Sequence, residues 1–329
     1  LKHFGWTPTK FTDKGNAIVD ESVLKGVTEI PECALILEYF LISKREAMLK
    51  NILGKIASDN RIHGYVNTNG AVTGRMTHSS PNMAQIPAVK KDSDGTVLWG
   101  LSGGYGADFR ELFTVNTNYC LVGCDASGLE LRMLAHYMND SSYTNEILHG
   151  DIHSKNQIAA KLPTRDKAKT FIYAFLYGAG DEKIGTIVGG GSQMGKRIKE
   201  DFLNSTPSLR RLRERVVKAS DKGYIKGLDG RKIWIRSSHA ALNFLLQGAG
   251  AIVMKKALTI LNKRAIMECL DYKFVGNIHD EFQSEVLKDH AERFGELAIE
   301  SIREAGNYYE LRCPLDAESK IGNNWAETH

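Results

Sequence analysis

Cysteine is scarce in this chain and irregularly spaced: five residues in 329, at Cys33, Cys120, Cys124, Cys269 and Cys313. Only Cys120 and Cys124 stand close together, and no second pair lies at zinc-ligand spacing, which argues against a zinc module or a disulfide framework. Each cysteine is read as buried and reduced, and the compartment as reducing, the cytoplasm. Long apolar runs are missing too. No stretch is read as approaching the ~20 residues of a membrane span, so no membrane is expected as a partner. No basic segment followed by an apolar one opens the chain, so no secretion signal is expected. Internal repeats and low-complexity tracts are absent. The chain opens at Leu1 rather than Met, as a fragment or a processed product would.

What is present is an ordinary globular composition, 42% hydrophobic and 25% charged, in a length that calls for two or three subdomains. The net charge of +4 conceals an asymmetry. Between Lys161 and Arg236 there are 18 Lys and Arg against 8 Asp and Glu, a surplus of ten, so the remainder sums to −6. Clustered cations on an acidic body suit a polyanionic partner, although a solvated set of basic helices would show the same count.

Along the chain, "CALILEYFLISKREAMLKNILGKI" reads as a helix, and residues 62–87 as strand pieces and turns rich in Gly, Ser, Thr and Asn. "CLVGCD" (120–125) reads as a short buried strand leading into the helix "GLELRMLAHYM". Helices follow over 165–177 and on to about residue 222. "LNFLLQGAGAIVMKKALTILNKRAI" is a long helix; then comes a hairpin of two half-buried strands, "YKFVGNIHDEFQSEV" (272–286), and a last Glu-rich helix. Long helices with scattered strands point to α+β.

Three features carry chemistry. The hairpin puts His279, Asp280 and Glu281 at its tip, where turn solvation is the plain reading and a bound cation the sharper one. Asp125 ends a buried strand and could meet Asp280; such acids holding two Mg²⁺ are suited to in-line phosphoryl transfer. In "RDKAKTFIYAFLYGAG", Arg165, Lys169, Tyr173 and Tyr177 recur every four residues and share one broad helix face. Two cations and two aromatics there would suit a nucleoside triphosphate, as would a solvated stripe running into core tyrosines. "GGSQMGKR" (190–197) imitates a phosphate-binding loop, but Arg197 stands where a hydroxyl must be and no strand–loop–helix context frames it.

"DASGLELR" (125–132), "RDKAKTFIYAFLYGAG" (165–180) and "HDE" (279–281) resemble motifs A, B and C of family A DNA polymerases, most of all the replicative polymerases of T-odd bacteriophages. The resemblance extends through "TGRMTHSSPNMAQIP", "GDIHSKNQIAA", "KGLDGRK" and "LLQGAGA", nearly the whole chain. It implies a right-hand polymerase fold with an antiparallel-sheet palm, helical fingers and a partial thumb: 1–57 partial thumb, 58–137 palm, 138–239 fingers, 240–329 palm again. It implies a DNA-directed DNA polymerase that copies phage DNA in an infected bacterial cell, with primer–template DNA and dNTPs as partners. Two Mg²⁺ ions, with Mn²⁺ as a substitute, would be bound by Asp125, Asp280 and the main chain of Ala126, with Glu281 supporting them.

By the same similarity His153, Arg165 and Lys169 would hold the triphosphate, Lys169 also giving a proton to departing pyrophosphate. Tyr173 would pack on the sugar, Glu130 would crowd C2′, and Tyr177 and Gly178 would lie under the templating base. Arg75, Gln85, His239, Gln247 and His279 would touch the primer–template. Tyr173 stands where other members have Phe, so tolerance of dideoxynucleotides is expected. Only 124 residues precede Asp125, without a D-x-E of the nuclease type. Proofreading is therefore expected to be absent, and a separate chain could supply the missing thumb and exonuclease. The segment before "KGLDGRK" is shorter than in the phage enzymes. The rivals are a single-subunit RNA polymerase, disfavoured by Glu130 and Tyr173, a catalytically silent DNA-binding subunit, and a metal-dependent nuclease.

Overall fold

Between Glu32 and Leu53 the chain is rich in Leu, Ile, Glu and Lys and has no glycine or proline, and it forms the first long helix, α1 (Glu32–Leu53), as strong helix formers should. In this computed structural model, which describes residues 2–8 and 11–328, α1 belongs to a unit made of Leu1–Tyr65 and His78–Phe113. Leu24, Val27, Ile30 and Cys33 are buried together there, with Ile36 and Leu37 packed against them. Longer-range hydrogen bonds from side chain to main chain tie the unit: Arg45 Nε donates to Gly104 O (2.9 Å) and Arg110 Nε to Pro87 O (3.0 Å). Of the segment expected as a partial thumb, residues 1, 9 and 10 lie outside the described residues.

The second unit comprises Val66–Thr77 and Thr114–His329. Its first strand, β1 (Tyr119–Ala126), is the apolar run the sequence shows, buried from Cys120 to Cys124. Helices follow: α2 (Leu129–Met138), α3 (Ser141–His149), α4 (Ile152–Ala159), α5 (Arg165–Leu176), α6 (Asp181–Thr186), α7 (Ser192–Ser205) and α8 (Pro207–Ser220). Side-chain caps set where three of them begin. Asp140, Asp151 and Thr164 accept from Tyr143, His153 and Lys167 N–H groups respectively, satisfying donors that a helix start leaves open. A two-stranded ribbon, Tyr224–Lys226 with Lys232–Trp234, leads to the long α9 (Ala241–Met267). The chain ends through β2 (Tyr272–Ile278), β3 (Glu281–Leu287), α10 (Ala291–Tyr308) and β4 (Ala317–Gly322).

The four strands form one antiparallel sheet in the order β4-β1-β3-β2. β1 pairs with β3 from Tyr119↔Leu287 to Asp125↔Glu281, and with β4 from Leu121↔Gly322 to Ala126↔Ala317. α10 lies against β1 and β4, burying Phe294, Leu297, Ala298 and Ile302. Each such large side chain contributes about 1.5–3 kcal/mol. Gly295 lets the helix sit close, because a Cβ there would meet Ser319 Oγ at 2.6 Å.

The structure corrects four sequence expectations. β3 is not half-buried: every residue from Glu281 to Val286 is buried, since β3 is an inner strand covered on both faces. β4 was not anticipated, because "AESKIG" alternates weakly and half of it is exposed. A stretch long and apolar enough to cross a membrane does exist, Ser238–Met267, but 61% of its most apolar window is buried inside the protein, as in a core helix. All five cysteines are free, but Cys269 is exposed rather than buried, in the turn after α9.

Candidate active site

The β2–β3 hairpin closes through His279 and Asp280. His279 has φ of 63°, a left-handed conformation uncommon for a residue with a Cβ. The Asp280 carbonyl accepts from Ala126 N–H (3.0 Å), which fixes the turn beside the end of β1. Asp125, Ala126, Asp280 and His279 therefore line one cleft of about 320 Å³ together with Arg75, Glu130, Tyr173 and Tyr177. The two acids the sequence could not show to meet do meet. The Asp125 side chain reaches solvent in this cleft, yet its surroundings push its pKa up to about 7. Burial is the largest cause, followed by the charges of Asp280 and Glu281, with Lys320 opposing.

Glu281 is not at the hairpin tip. It begins β3, is 4% exposed, and its Oε1 accepts from Trp325 Nε1 and Gln283 Nε2, both at 2.7 Å. Thr328 Oγ1 donates to Gln283 Oε1 (2.9 Å) and completes the support. Gln283 belongs to β3 itself, but Trp325 and Thr328 are more than forty residues away in sequence, and nothing in the local hairpin sequence could have indicated those two.

α4 and α5 bring the expected triphosphate residues together. The His153 and Tyr173 rings lie 6.3 Å apart. Burial, then the positive charges of Arg165 and Lys169, hold His153 below its ordinary pKa. Its Nδ1 is buried and has no hydrogen-bond partner among the described residues. Lys169 is exposed, one turn beyond Arg165, and has no ion pair among the described residues. Arg165 does have one. Its Nε and Nη2 hold Asp151 Oδ2 and Oδ1 at 2.6 and 3.1 Å, and hydrogen bonds from Arg165 and Ser154 keep Asp151 far below the usual carboxylate range. Asp151 also caps α4, accepting from His153 N–H (3.1 Å), so one carboxylate positions both His153 and Arg165. Sequence reasoning missed it, although an Asp directly before a helix is a cap signal.

A second network spans the cleft. Tyr177 Oη donates to Glu130, 2.8 Å from each carboxylate oxygen. Arg75 Nη2 donates to Glu130 Oε1 at 3.0 Å. Burial and Glu130 push the Tyr177 phenol upward, and burial with Glu130, Asp280 and Asp125 does the same to Tyr173. Both stay protonated and able to donate. α5 ends at Leu176, with Tyr177 as its cap.

The remaining predicted residues lie outside that cleft. Gly178 has φ of 75°, and a Cβ there would meet the His239 carbonyl at 3.0 Å, so the α5 exit and the turn Ser238–Ala240 approach each other closely. Gln247 is on α9, half-buried. Gln85 belongs to the other unit, in the short turn Met83–Gln85. In "GGSQMGKR" Gly195 serves packing: a Cβ there would stand 1.8 Å from Asp181 O, so α6 and α7 touch through it.

Among the described residues no group of three or more His, Cys, Asp or Glu converges as a metal cage. Two carboxylates and a main-chain oxygen suit a small hard cation that keeps waters and takes its other ligands from phosphate. The repulsion from Asp280 and Glu281, which adds to burial in raising Asp125, is the feature such a cation would remove.

The family model of DNA polymerase family A matches residues 1–327, and the chain belongs to that family. Such enzymes generally use divalent metal ions. The chain is similar to the DNA-directed DNA polymerases of Enterobacteria phage T3, at 45% identity over 100% of this chain and 51% of that protein, and of Escherichia phage T7, at 44% over the same shares. It thus spans about half the length of these curated relatives. Among solved structures, the POL domain of Pol1 from M. smegmatis, in complex with DNA primer-template and dNTP, matches with a TM-score of 0.85 at 24% identity. That match covers 98% of this chain and 58% of the other. This likeness shows the fold, and the α+β reading with it.

Proposed function

We propose that this chain is a polymerase core that transfers dNMP from a dNTP to a primer 3′-OH under template direction, releasing pyrophosphate, during phage DNA replication in the host cytoplasm. The observation that carries the reading is the convergence of Asp125 and Asp280 with Tyr173 and Glu130 in one cleft, within a family A fold. In this reading 58–137 and 240–329 supply the palm, 138–239 the fingers and 1–57 part of a thumb.

Asp125, Asp280 and the Ala126 carbonyl would hold two Mg²⁺ ions, or Mn²⁺ in their place. When bound, these would activate the attacking hydroxyl and stabilise charge on the leaving phosphate. Glu281 lies behind the acids, locked by Trp325 and Gln283, and adds negative charge. Arg165, aimed by Asp151, and His153 would bind the triphosphate, and the unpaired Lys169 would protonate leaving pyrophosphate. Tyr173 would pack on the sugar. Glu130, fixed between Tyr177 and Arg75, would crowd C2′ and disfavour ribonucleotides. Arg75, His279, Gly178, His239, Gln247 and Gln85 would meet the primer–template; minor-groove acceptors are common to all base pairs, so such contacts check geometry rather than sequence.

The test is primer extension by the 329-residue chain with Mg²⁺ and dNTPs, beside Asp125→Asn. Template-dependent extension in the parent, reduced at least about a thousandfold in the variant, is expected. If the parent is silent, adding the separately expressed thumb and exonuclease half of a phage relative discriminates: restored extension identifies an incomplete core, and continued silence overturns the reading.

A further inference from the structure

The ribbon Tyr224–Lys226/Lys232–Trp234 takes no part in the site above. Its register pairs Tyr224 with Trp234, Ile225 with Ile233 and Lys226 with Lys232. Side chains alternate across a strand, so Ile225 and Ile233 point inward and are 4% and 1% exposed. The opposite face carries two aromatics followed by two lysines.

That outer face is unusual in three respects. Trp234 is 61% exposed, its ring edge-on to Tyr224 with centroids 5.7 Å apart, so an indole face is left open. Lys226 and Lys232 stand directly opposite each other, and like charges in that relation destabilise a ribbon unless an anion joins them. Lys232 Nζ sits 4.6 Å from the centre of the Tyr224 ring and has no ion pair among the described residues. The nearby acid Asp229 is already engaged by Arg231 at 2.8 Å. Lys222 and Arg236 flank the face, exposed, and have no ion pair among the described residues. The ribbon belongs to the segment 161–236, where cations exceed acids by ten.

An open aromatic ring beside a row of unpaired cations is the arrangement that binds unpaired nucleic acid: bases stack on the ring whatever their identity, and the cations track the backbone. We propose that the outer face of this ribbon is a binding platform for single-stranded nucleic acid, with a base stacked on Trp234 and phosphate held between Lys226 and Lys232. An apolar protein segment would cover Trp234 but leave the lysine pair unneutralised, so charge favours the nucleic acid. Only the source of that strand, unpaired template, rests on the polymerase reading; the binding itself does not.

The experiment measures binding of a fluorescently labelled oligo(dT) to the full chain by anisotropy, with EDTA present and no nucleotide, so that a failed polymerase reading leaves the measurement intact. Trp234→Ala is expected to weaken binding roughly 5- to 100-fold, and Trp234→Phe to retain most of it. Lys226→Glu with Lys232→Glu should weaken it and lower the salt slope by about 0.7 per lysine removed. These lysines are exposed and the ribbon core is Ile225 and Ile233, so the double variant should melt with the parent. A second arm uses duplexes with and without a long 5′ single-stranded overhang: the variants should lose only the affinity the overhang adds. Unchanged oligo(dT) affinity in both Trp234→Ala and the lysine variant overturns the proposal. So does equal loss on the blunt duplex, or displacement of oligo(dT) from the parent by poly-glutamate but not by unlabelled oligo(dT), which would identify an acidic protein partner.

Discussion

Asp125 is held in a state that disfavours the fold. A carboxyl with a folded pKa near 7 binds its proton more tightly than in the unfolded chain, where the value is about 3.9. The folded state therefore carries more proton between those values, and stability falls as pH rises from about 4 to about 7. Exposure to solvent in the cleft screens the effect, so the expected gain is small. With EDTA at pH 7.5, Asp125→Asn should melt about 2 °C above the parent, and the two should coincide at pH 4. Equal melting at both pH values would refute the argument. Tyr173 offers a second test. Tyr173 lines the same cleft and its hydroxyl has no protein partner among the described residues, so it is available to a nucleotide that lacks a 3′-OH. Tyr173→Phe should discriminate against dideoxynucleotides about tenfold better than the parent, as loss of one polar contact implies; competitive primer extension measures the ratio. Of these residues the sequence showed type and spacing. It could not show Asp151 gripping Arg165 or Trp325 gripping Glu281, because both depend on partners that only folding brings near.

At the scale of elements, legibility followed chemistry that is local. β1 was readable because an unbroken apolar run ending in Asp has few other interpretations, and α5 because its cations and aromatics keep a four-residue spacing. β3 was misread as half-buried because Gln283, Ser284 and Glu285 look solvent-facing, yet all three are buried; an inner strand hides its polar residues against neighbours that the strand itself does not encode. β4 was missed for the complementary reason, as an edge strand half in water with little apolar signal. Of the glycines in "GGSQMGKR", Gly195 has a packing role. On Gly195 a Cβ would meet Asp181 O, Asp181 C and Gly185 N at 1.8, 2.7 and 2.7 Å, all main-chain atoms that cannot rotate aside. Gly195→Ala must separate α6 from α7, and should destabilise the protein by about 1–3 kcal/mol, read as a lower urea midpoint with an unchanged m-value. An unaltered midpoint would mean that the two helices are free to move apart.

For the molecule as a whole, composition already separated a basic middle from an acidic remainder, and the structure gives that middle a form. The segment 161–236 folds into α5–α8 and the ribbon, all within the unit that holds the cleft. Several of its cations are neutralised internally: Arg165 by Asp151, Lys161 and Arg197 by Asp201, Lys199 by Asp181 and Arg231 by Asp229. Others are exposed without an ion pair among the described residues, including Arg211, Arg215 and Lys218 on α8. A solvated basic surface and a nucleic-acid surface share this description, and salt distinguishes them. If the free cations meet phosphates, each contact releases condensed counterion, and the logarithm of affinity falls linearly with the logarithm of salt at about 0.9 per phosphate on duplex DNA. With a surplus of ten charges, part of it distant from any one duplex, a slope of about −4 or steeper is expected for a primer–template with a long overhang. Equilibrium binding from 50 to 300 mM KCl measures it. A slope near zero would mean that the surplus is only solvated.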